Sequence, residues 1–244
     1  MYHFFVQPSD VLEDKILIEG SDVNHIKNVL RMKEGEDLLI SDGCGTDYTC
    51  KINSIENDLV TLDIIEKGGS STEPKAKFYL FQGLPKSDKL EHVIQKSVEL
   101  GVYEIIPVET SRTIVKYDAK KLKSKNERWN KIAEGAAKQS HRGIIPLVKD
   151  VMNFKEALEY AKELDCILIP YENFKDIKKT KEILNEIKPE MKVGIFVGPE
   201  GGFEEAEVEE AILKGAKPIS LGNRILRTET APLMLLSVLA FNLE

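Results

Sequence analysis

The chain has 244 residues, which suffices for one large domain or two domains of modest size. Its hydrophobic fraction of 42% is ordinary for a globular protein, and the longest apolar run, residues 231–241, is too short to cross a bilayer. No charged and then apolar leader opens the sequence, so we expect a cytoplasmic protein with no membrane partner.

Cysteine and histidine are sparse and are not spaced like metal ligands. The three cysteines are odd in number and form no C-x-x-C pair. The four histidines show no metal-ligand spacing either. We therefore expect neither a disulfide framework nor a metal site.

Charge is distributed unevenly along the chain, whose formal net charge is −7. Residues 1–74 carry 6 basic and 15 acidic side chains, a net of −9, whereas residues 75–150 carry 16 and 9, a net of +7. Within residues 110–142 there are 10 basic and 3 acidic side chains. A basic segment in an acidic protein is typical of a local anionic partner such as nucleic acid.

The first 70 residues are predicted to form a small β-rich unit. Alternating apolar residues and turn clusters predict one helix over 22–32 and strands over 3–6, 15–19, 37–41, 46–55 and 59–67. Five short strands with one helix favour a small β-barrel. The Gly- and Ser-rich segment 68–74 predicts a linker, which gives domains over 1–70 and 75–244.

Strand and helix patterns alternate beyond that linker. The predicted strands cover 77–84, 104–109, 166–171, 193–197 and 217–221. The predicted helices cover 88–101, 119–140, 154–164, 176–187, 204–214 and 229–242. This alternation is typical of an α/β fold, with a mostly parallel sheet covered by helices on both faces.

The last predicted helix has almost no polar face. Because a helix that is apolar all round must be covered all round, its surroundings have to be apolar too. A terminal helix of a small domain is seldom covered by its own subunit, so the sequence predicts a homodimer packed through this helix. Complete burial within one subunit is the alternative.

The sequence KVGIFVGPEGGF (192–203) is the first candidate for a binding site. A buried strand ends there in three glycines within five residues, at a position where open α/β sheets bind ligands. The sequence lacks both phosphate-loop motifs, and the carboxylate of Glu200 would repel a polyphosphate. We therefore expect a neutral or cationic ligand, with a purely structural turn as the alternative.

A second glycine-containing turn follows the predicted strand over 217–221. It contains Gly222, Arg224 and Arg227, and either Thr228 or Thr230 can cap the helix that follows. Arginines at the mouth of an α/β site commonly clamp anions. We expect Arg227 to be functional and better buried by its neighbours than Arg224, although both could be solvated surface residues.

Together, GPEGGF (198–203) and LGNRILRTETAP (221–232) resemble the SPOUT superfamily of knotted methyltransferases, and specifically the ribosomal RNA small subunit methyltransferase E family. The resemblance covers nearly the whole chain, through HIKNVLRMKEGE (25–36), GLPKSDKLEHVIQKSVELGV (83–102), ETSRTIVK (109–116) and RWNKIAEGAAKQSHRGIIP (128–146). An arginine is usual in this family where the chain has His3 or Phe4, so an RNA contact by that arginine is not carried over.

The resemblance implies a fold, a cofactor and partners. It implies an N-terminal PUA-like β-barrel over 1–70 that binds RNA, and a methyltransferase domain over 75–244 with a deep trefoil knot and an obligate homodimer interface. The implied activity is methylation of N3 of a uridine in 16S ribosomal RNA within an assembled small subunit. The implied S-adenosyl-L-methionine site comprises Ile169, Pro170, Gly198, Pro199, Glu200, Gly201, Gly202, Leu221, Gly222, Ile225 and Leu226.

Methyl transfer from a sulfonium to nitrogen is an in-line displacement, in which the protein supplies positioning and an electrostatic field. The N3 of uridine must lose its proton, and a nearby cation favours that loss. We therefore hypothesise that Arg227 stabilises the deprotonated base or its phosphate. Glu200 would orient the substrate or accept the proton.

RNA contacts are expected from the barrel and from the basic segment, with Tyr117 and Trp129 as stacking partners. For any single lysine a solvated helix face is the alternative. The candidate phosphate contacts are Arg31, Lys86, Arg112, Lys116, Arg128, Arg142 and Arg224.

Three other functions remain open at this point. The chain could be a knotted methyltransferase that acts on another RNA or base atom, or an RNA-binding protein without activity. An ordinary nucleotide-binding α/β enzyme is disfavoured, because the phosphate loop is missing.

Overall fold

The computed structural model describes residues 1–70 and 72–243, so Ser71 of the predicted linker and Glu244 of the second predicted domain lie outside the described residues. The chain divides into two compact units. The first combines Met1–Glu73 with Ala137–Ile145, and the second combines Pro74–Ala136 with Pro146–Glu244. The sequence analysis placed 137–145 in the second domain.

The first unit contains a curled five-stranded sheet in the order β1-β3-β4-β5-β2. Its strands are β1 (Tyr2–Phe5), β2 (Lys15–Glu19), β3 (Asp37–Ser41), β4 (Thr46–Ile55) and β5 (Leu59–Gly69). A short helix, α1 (Ser21–Asn24), continues into a π-helical turn (His25–Val29). Apolar residues at every second position of the strands, such as Leu38 and Ile40, are fully buried and form the core.

The segment Ala137–Ile145 makes several of its contacts within the first unit through the carboxylate of Glu73. Glu73 accepts hydrogen bonds from the backbone N–H groups of Gly143 (3.1 Å) and Ile144 (3.2 Å) and pairs with the guanidinium of Arg142. The Arg142 side chain is only 3% exposed. Because these contacts join residues about seventy positions apart, sequence periodicity gave no sign of them.

The second unit contains a seven-stranded parallel sheet in the order β12-β10-β11-β6-β7-β8, with β9 also paired to β7. Its strands are β6 (Lys77–Gly83), β7 (Val102–Glu109), β8 (Leu147–Val148), β9 (Met152–Asn153), β10 (Cys166–Pro170), β11 (Lys192–Val197) and β12 (Lys217–Ile219). The predicted α/β fold with a mostly parallel sheet is confirmed. The two-residue strands β8 and β9 were not predicted, because they are too short to have a period.

Helices lie on both faces of this sheet. They are α2 (Lys89–Glu99), α3 (Ala119–Gln139), α4 (Phe154–Ala161), α5 (Ile177–Asn185), α6 (Glu205–Leu213) and α7 (Thr230–Leu243). The apolar sides of α4 and α6 pack with Tyr79 and Phe81 of β6. Since side chains alternate along a strand, Phe78 and Leu80 face the other side, where α2 and α7 contact each other and strands β7 and β11.

The last helix, α7, is covered on one side. Leu235, Leu236 and Leu239 are buried, whereas Met234 is 40% and Phe241 80% exposed. Within residues 1–70 and 72–243, no helix combines the length and apolar character that a membrane span requires.

Candidate functional site

A cavity of about 880 Å³ lies at the carboxyl ends of β10, β11 and β12. We call it the strand-end cavity. Three loops line it: residues 170–175 after β10, the glycine loop (198–202) after β11, and the arginine loop (221–228) after β12. Ten of the eleven predicted cofactor residues line this cavity, while Ile169 is fully buried beneath it in β10.

The glycine loop folds tightly back on itself. The N–H of Gly202 donates to the carbonyl of Pro199 (2.9 Å), and Gly202 has a φ of +67°. A Cβ added at Gly198 would lie 2.8 Å from the carbonyl carbon of Gly202. A Cβ at Gly83, the last residue of β6, would lie 2.6 Å from the ring of Pro199. Close backbone packing therefore requires glycine at both positions.

The carboxylate of Glu200 is hydrogen-bonded to groups of the protein. It accepts hydrogen bonds from the backbone N–H of Lys86 (3.1 Å) and from the ammonium of Lys89 (2.8 Å). Burial acts to raise the pKa of Glu200, but hydrogen bonds from Lys89 and from the backbone amides of Glu200 and Lys86 outweigh it, and the pKa lies below its ordinary value. Glu200 is therefore a carboxylate at neutral pH.

Thr228 joins the arginine loop to the glycine loop. Its hydroxyl donates to the carbonyl of Gly198 (2.7 Å) and accepts from the side-chain amide of Gln82 (2.9 Å). Thr228 is 6% exposed and Gln82 is fully buried. The sequence analysis named Thr228 only as a possible helix cap and did not name Gln82 or Lys89. A glutamine in the otherwise apolar strand β6 was the available signal.

Lys89 also lies close to the start of α7. Its ammonium is 3.8 Å from the carboxylate of Glu229, in addition to its contact with Glu200. One cation of α2 thus stands between a carboxylate of the glycine loop and a carboxylate next to the arginine loop. Lys89 therefore reduces the repulsion between these two carboxylates, both of which line the strand-end cavity.

Arg227 lines the cavity but is not buried by its neighbours, so that prediction is wrong. Its side chain is 83% exposed, and its guanidinium lies 3.9 Å from Glu229. The backbone of Arg227 is held at the start of α7, where its carbonyl accepts from the N–H groups of Thr230 (2.9 Å) and Ala231 (3.0 Å), whereas its side chain is exposed. Arg224 and Ile225 are exposed on the same loop.

The predicted RNA contacts fall into two groups. Arg31 and Arg142 belong to the first unit, and the other five belong to the second. Lys86, Lys116 and Arg224 are exposed, as is Arg31. The other two exposed arginines bind protein groups: Arg128 pairs with Glu91 (2.7 Å) and Arg112 donates to the carbonyl of Gly201 (2.7 Å).

Two predicted RNA contacts do not fit the structure. Arg142 is buried with Glu73, as described above, so its guanidinium is occupied within the first unit. Trp129 is 2% exposed. It packs in the core on the buried side of α3, because the apolar stripe of that helix faces inward, and it offers no surface for a base to stack on. Tyr117 is partly exposed.

Metal ligands are not grouped in the part of the chain that the structure describes. Among those residues no cluster of three or more His, Cys, Asp or Glu side chains could hold an ion. Cys44 is exposed, whereas Cys50 and Cys166 are buried, and all three are free thiols.

Comparison with known proteins gives two family matches. A family model described as an RNA methyltransferase domain matches residues 72–240, and one described as an RNA methyltransferase PUA domain matches residues 18–65. Over 230 residues the chain is 40% identical to the ribosomal RNA small subunit methyltransferase E of Bacillus subtilis (strain 168), an alignment that covers 93% of this chain and 90% of that protein.

Two solved structures are also similar over almost the full length. One is a ribosomal RNA small subunit methyltransferase E from Neisseria gonorrhoeae bound to S-adenosyl methionine, with 30% identity, a TM-score of 0.83, and coverage of 99% of this chain and 98% of that chain. The other is a methyltransferase from Legionella pneumophila in complex with the same cofactor, with 31% identity, a TM-score of 0.81, and coverage of 98% and 97%.

Proposed function

We propose that this chain, which belongs to the ribosomal RNA small subunit methyltransferase E family, binds S-adenosylmethionine in the strand-end cavity and methylates N3 of a uridine in 16S ribosomal RNA. The observation that carries the proposal is the convergence of the glycine loop, the arginine loop and the end of β10 on one cavity. Relatives of similar fold, at 30% and 31% identity, were solved with this cofactor.

The residues of the cavity fit such a ligand. Its volume of about 880 Å³ lies within the range of about 300–1,000 Å³ that small-molecule sites occupy. Glycines of the two loops let the backbone approach the ligand closely. When bound, S-adenosylmethionine supplies a methyl group on a positively charged sulfur. The three loops then hold it in line with the substrate and exclude water.

Arg227 and Glu200 receive different roles in this proposal. The exposed guanidinium of Arg227 extends from the rim of the cavity, where it can approach an anionic base or its phosphate. It would stabilise the negative charge that develops when N3 loses its proton. Glu200 would orient the glycine loop and the substrate, since a carboxylate with a lowered pKa that already accepts hydrogen bonds from Lys86 and Lys89 is a weak proton acceptor.

RNA would be held by the first unit as a PUA-like domain and by exposed cations of the second unit. The match of residues 18–65 to an RNA methyltransferase PUA domain supports the first part. The exposed side chains of Lys86, Lys116 and Arg224 support the second. Phosphate contacts of this kind release counterions, so the affinity for RNA should fall steeply with salt.

Three further features belong to the same proposal. The last helix would pack against a second copy of the chain, which would cover the exposed Met234 and Phe241. The segment after β12 would thread a trefoil knot, as the resemblance to knotted methyltransferases implies. Action on an assembled small ribosomal subunit would place the protein in the cytoplasm.

The direct test is methyl transfer to small ribosomal subunits from a strain that lacks the enzyme. The wild-type protein and S-adenosylmethionine should produce 3-methyluridine, detected by mass spectrometry of digested nucleosides, and Arg227→Ala should abolish the product while cofactor binding remains measurable. A different methylated nucleoside would refute the N3 assignment. Binding of RNA without any binding of S-adenosylmethionine would refute the proposed methyltransferase activity.

A further inference from the structure

We propose that Arg112 couples RNA binding to cofactor binding by linking the substrate-facing surface to the glycine loop. The inference rests on the proposed function and goes beyond it, because it assigns a positioning residue and a thermodynamic consequence. Arg112 was expected above only as a phosphate contact. Its position and its hydrogen bond to Gly201 indicate that it also positions the glycine loop.

The order of the strands places the glycine loop between two surfaces. The strand-end cavity is lined by loops that follow β12, β10 and β11. Strands β6 and β7 come next in the sheet, and Lys86 and Arg112 follow them. The glycine loop after β11 therefore has the cavity on one side and these two cations on the other. A change at the cationic side reaches the cavity through this loop.

Direct contacts join Arg112 to the loop. Its Nη1 donates to the carbonyl of Gly201 (2.7 Å), and a Cβ built on Gly201 would lie 3.4 Å from the Cβ and Cδ of Arg112. The aliphatic part of the arginine therefore covers Gly201 at van der Waals distance. The neighbouring residue of the glycine loop, Glu200, accepts a hydrogen bond from the backbone N–H of Lys86, in the loop that follows β6 (3.1 Å).

The segment that carries Arg112 is itself fixed. The N–H of Thr113 donates to the carbonyl of Thr110 (3.0 Å), which closes a turn around Arg112. The N–H of Ser111 donates to the buried carboxylate of Glu207 (2.8 Å) in α6, the helix that follows the glycine loop. Arg112 thus extends from a rigid base.

The guanidinium retains donors for a second partner. A guanidinium has five N–H groups in one plane, and the contact with Gly201 uses one nitrogen. Arg112 is exposed, so a phosphate can reach the remaining donors. A phosphate bound there would hold the side chain in the rotamer that contacts Gly201, which would fix the glycine loop before the cofactor enters. By linkage, a bound cofactor would tighten RNA binding by the same factor.

The coupling is measured by filter binding of small ribosomal subunits from a strain that lacks the enzyme. The dissociation constant is determined with and without saturating S-adenosylhomocysteine, which occupies the cavity but cannot transfer a methyl group. For the wild-type protein we expect binding about fivefold tighter or more when the cavity is occupied. Arg112→Lys keeps the charge but not the planar set of donors, so the ratio should fall to about one.

Lys116→Ala is the matched control, because it removes an exposed cation of the same segment. It should weaken binding of the subunits in both conditions and leave the ratio as in the wild type. An unchanged ratio in Arg112→Lys, or a ratio of one in the wild type, would overturn the inference while leaving the proposed function intact. If the wild-type protein bound neither the subunits nor S-adenosylhomocysteine, both this inference and the proposed function would be overturned.

Discussion

Replacing Thr228 by valine should weaken the contact between the two loops of the strand-end cavity, because valine keeps the shape of the threonine side chain and lacks its hydroxyl. The substitution deletes two hydrogen bonds, one to Gly198 and one from Gln82, at a position that is 6% exposed. Each bond contributes about 1 kcal/mol. The amide nitrogen of Gln82 also donates to the carbonyl of Gly83 (3.1 Å), so one of its two N–H groups is left buried without an acceptor, at a cost of about another 1–2 kcal/mol. We therefore expect the free energy of unfolding to fall by about 3–4 kcal/mol.

Cofactor affinity should fall as well. Without the hydroxyl of Thr228, part of the binding free energy of the ligand is spent on aligning the glycine loop and the arginine loop. If that alignment costs as much as one hydrogen bond, the dissociation constant for S-adenosylmethionine rises about fivefold to tenfold. Urea unfolding and titration calorimetry measure the two quantities. Thr228→Ser retains the hydroxyl and should restore most of both losses.

Ser97→Ala is the control for the loss of a buried hydroxyl. Ser97 lies on α2, outside the lining of the cavity, and its hydroxyl has no hydrogen-bond partner within the described residues. This variant should bind the cofactor as the wild type does. Thr228→Val with unchanged affinity, or a loss that Thr228→Ser does not restore, would refute the view that this hydroxyl aligns the loops.

Three further variants test other parts of the account. The pKa of Glu200 is lowered in the folded protein, so ionised Glu200 stabilises the fold at pH values above 4.5, the ordinary pKa, and this stabilisation is lost as the pH falls through the lowered pKa. Acid unfolding curves of Glu200→Gln should therefore lack this pH-dependent loss of stability. Curves that run parallel for the variant and the wild type would contradict the argument. Arg142→Ala leaves the carboxylate of Glu73 without its cation and should destabilise the first unit by about 3–5 kcal/mol in urea unfolding, whereas a loss below about 1 kcal/mol would mean that the pair contributes little. Phe241→Glu places a charge on the exposed side of α7 and should convert a dimer to a monomer in sedimentation analysis, while a wild-type monomer would exclude the proposed interface.

The elements with a clear hydrophobic period were predictable from the sequence. Strand β2 (Lys15–Glu19) and strand β4 (Thr46–Ile55) have the predicted boundaries, and the helices of the second unit differ by only a few residues at their ends. The helix predicted over 22–32 is instead a short α-helix, α1 (Ser21–Asn24), followed by a π-helical turn (His25–Val29). Strands β8 and β9 were missed because two residues carry no period. The assignment of 137–145 to the second domain followed from the single linker predicted over 68–74, because no pattern in the sequence indicated that the chain returns to the first unit.

The loops that form the candidate site were predictable from the sequence, but the contacts between its side chains were not. Glycine-rich turns after apolar strands are a local signal, and the sequence indicated two of them. They were expected at neighbouring strand ends, whereas in the sheet β10 lies between β11 and β12. The contact between Gln82 and Thr228 joins residues 146 positions apart, and the contact between Lys89 and Glu200 joins residues 111 apart. The exposure of Arg227 and the burial of Trp129 likewise depend on which neighbours the fold brings near each residue. No local pattern contains that information.

The central claim is that one cavity between the glycine loop and the arginine loop holds the methyl donor. A crystal structure of the protein with S-adenosylmethionine tests it most directly. We expect the ligand within the cavity, with its backbone contacts on residues 198–202 and 221–228 and its methyl group directed toward Arg227. A donor bound outside these two loops would contradict it.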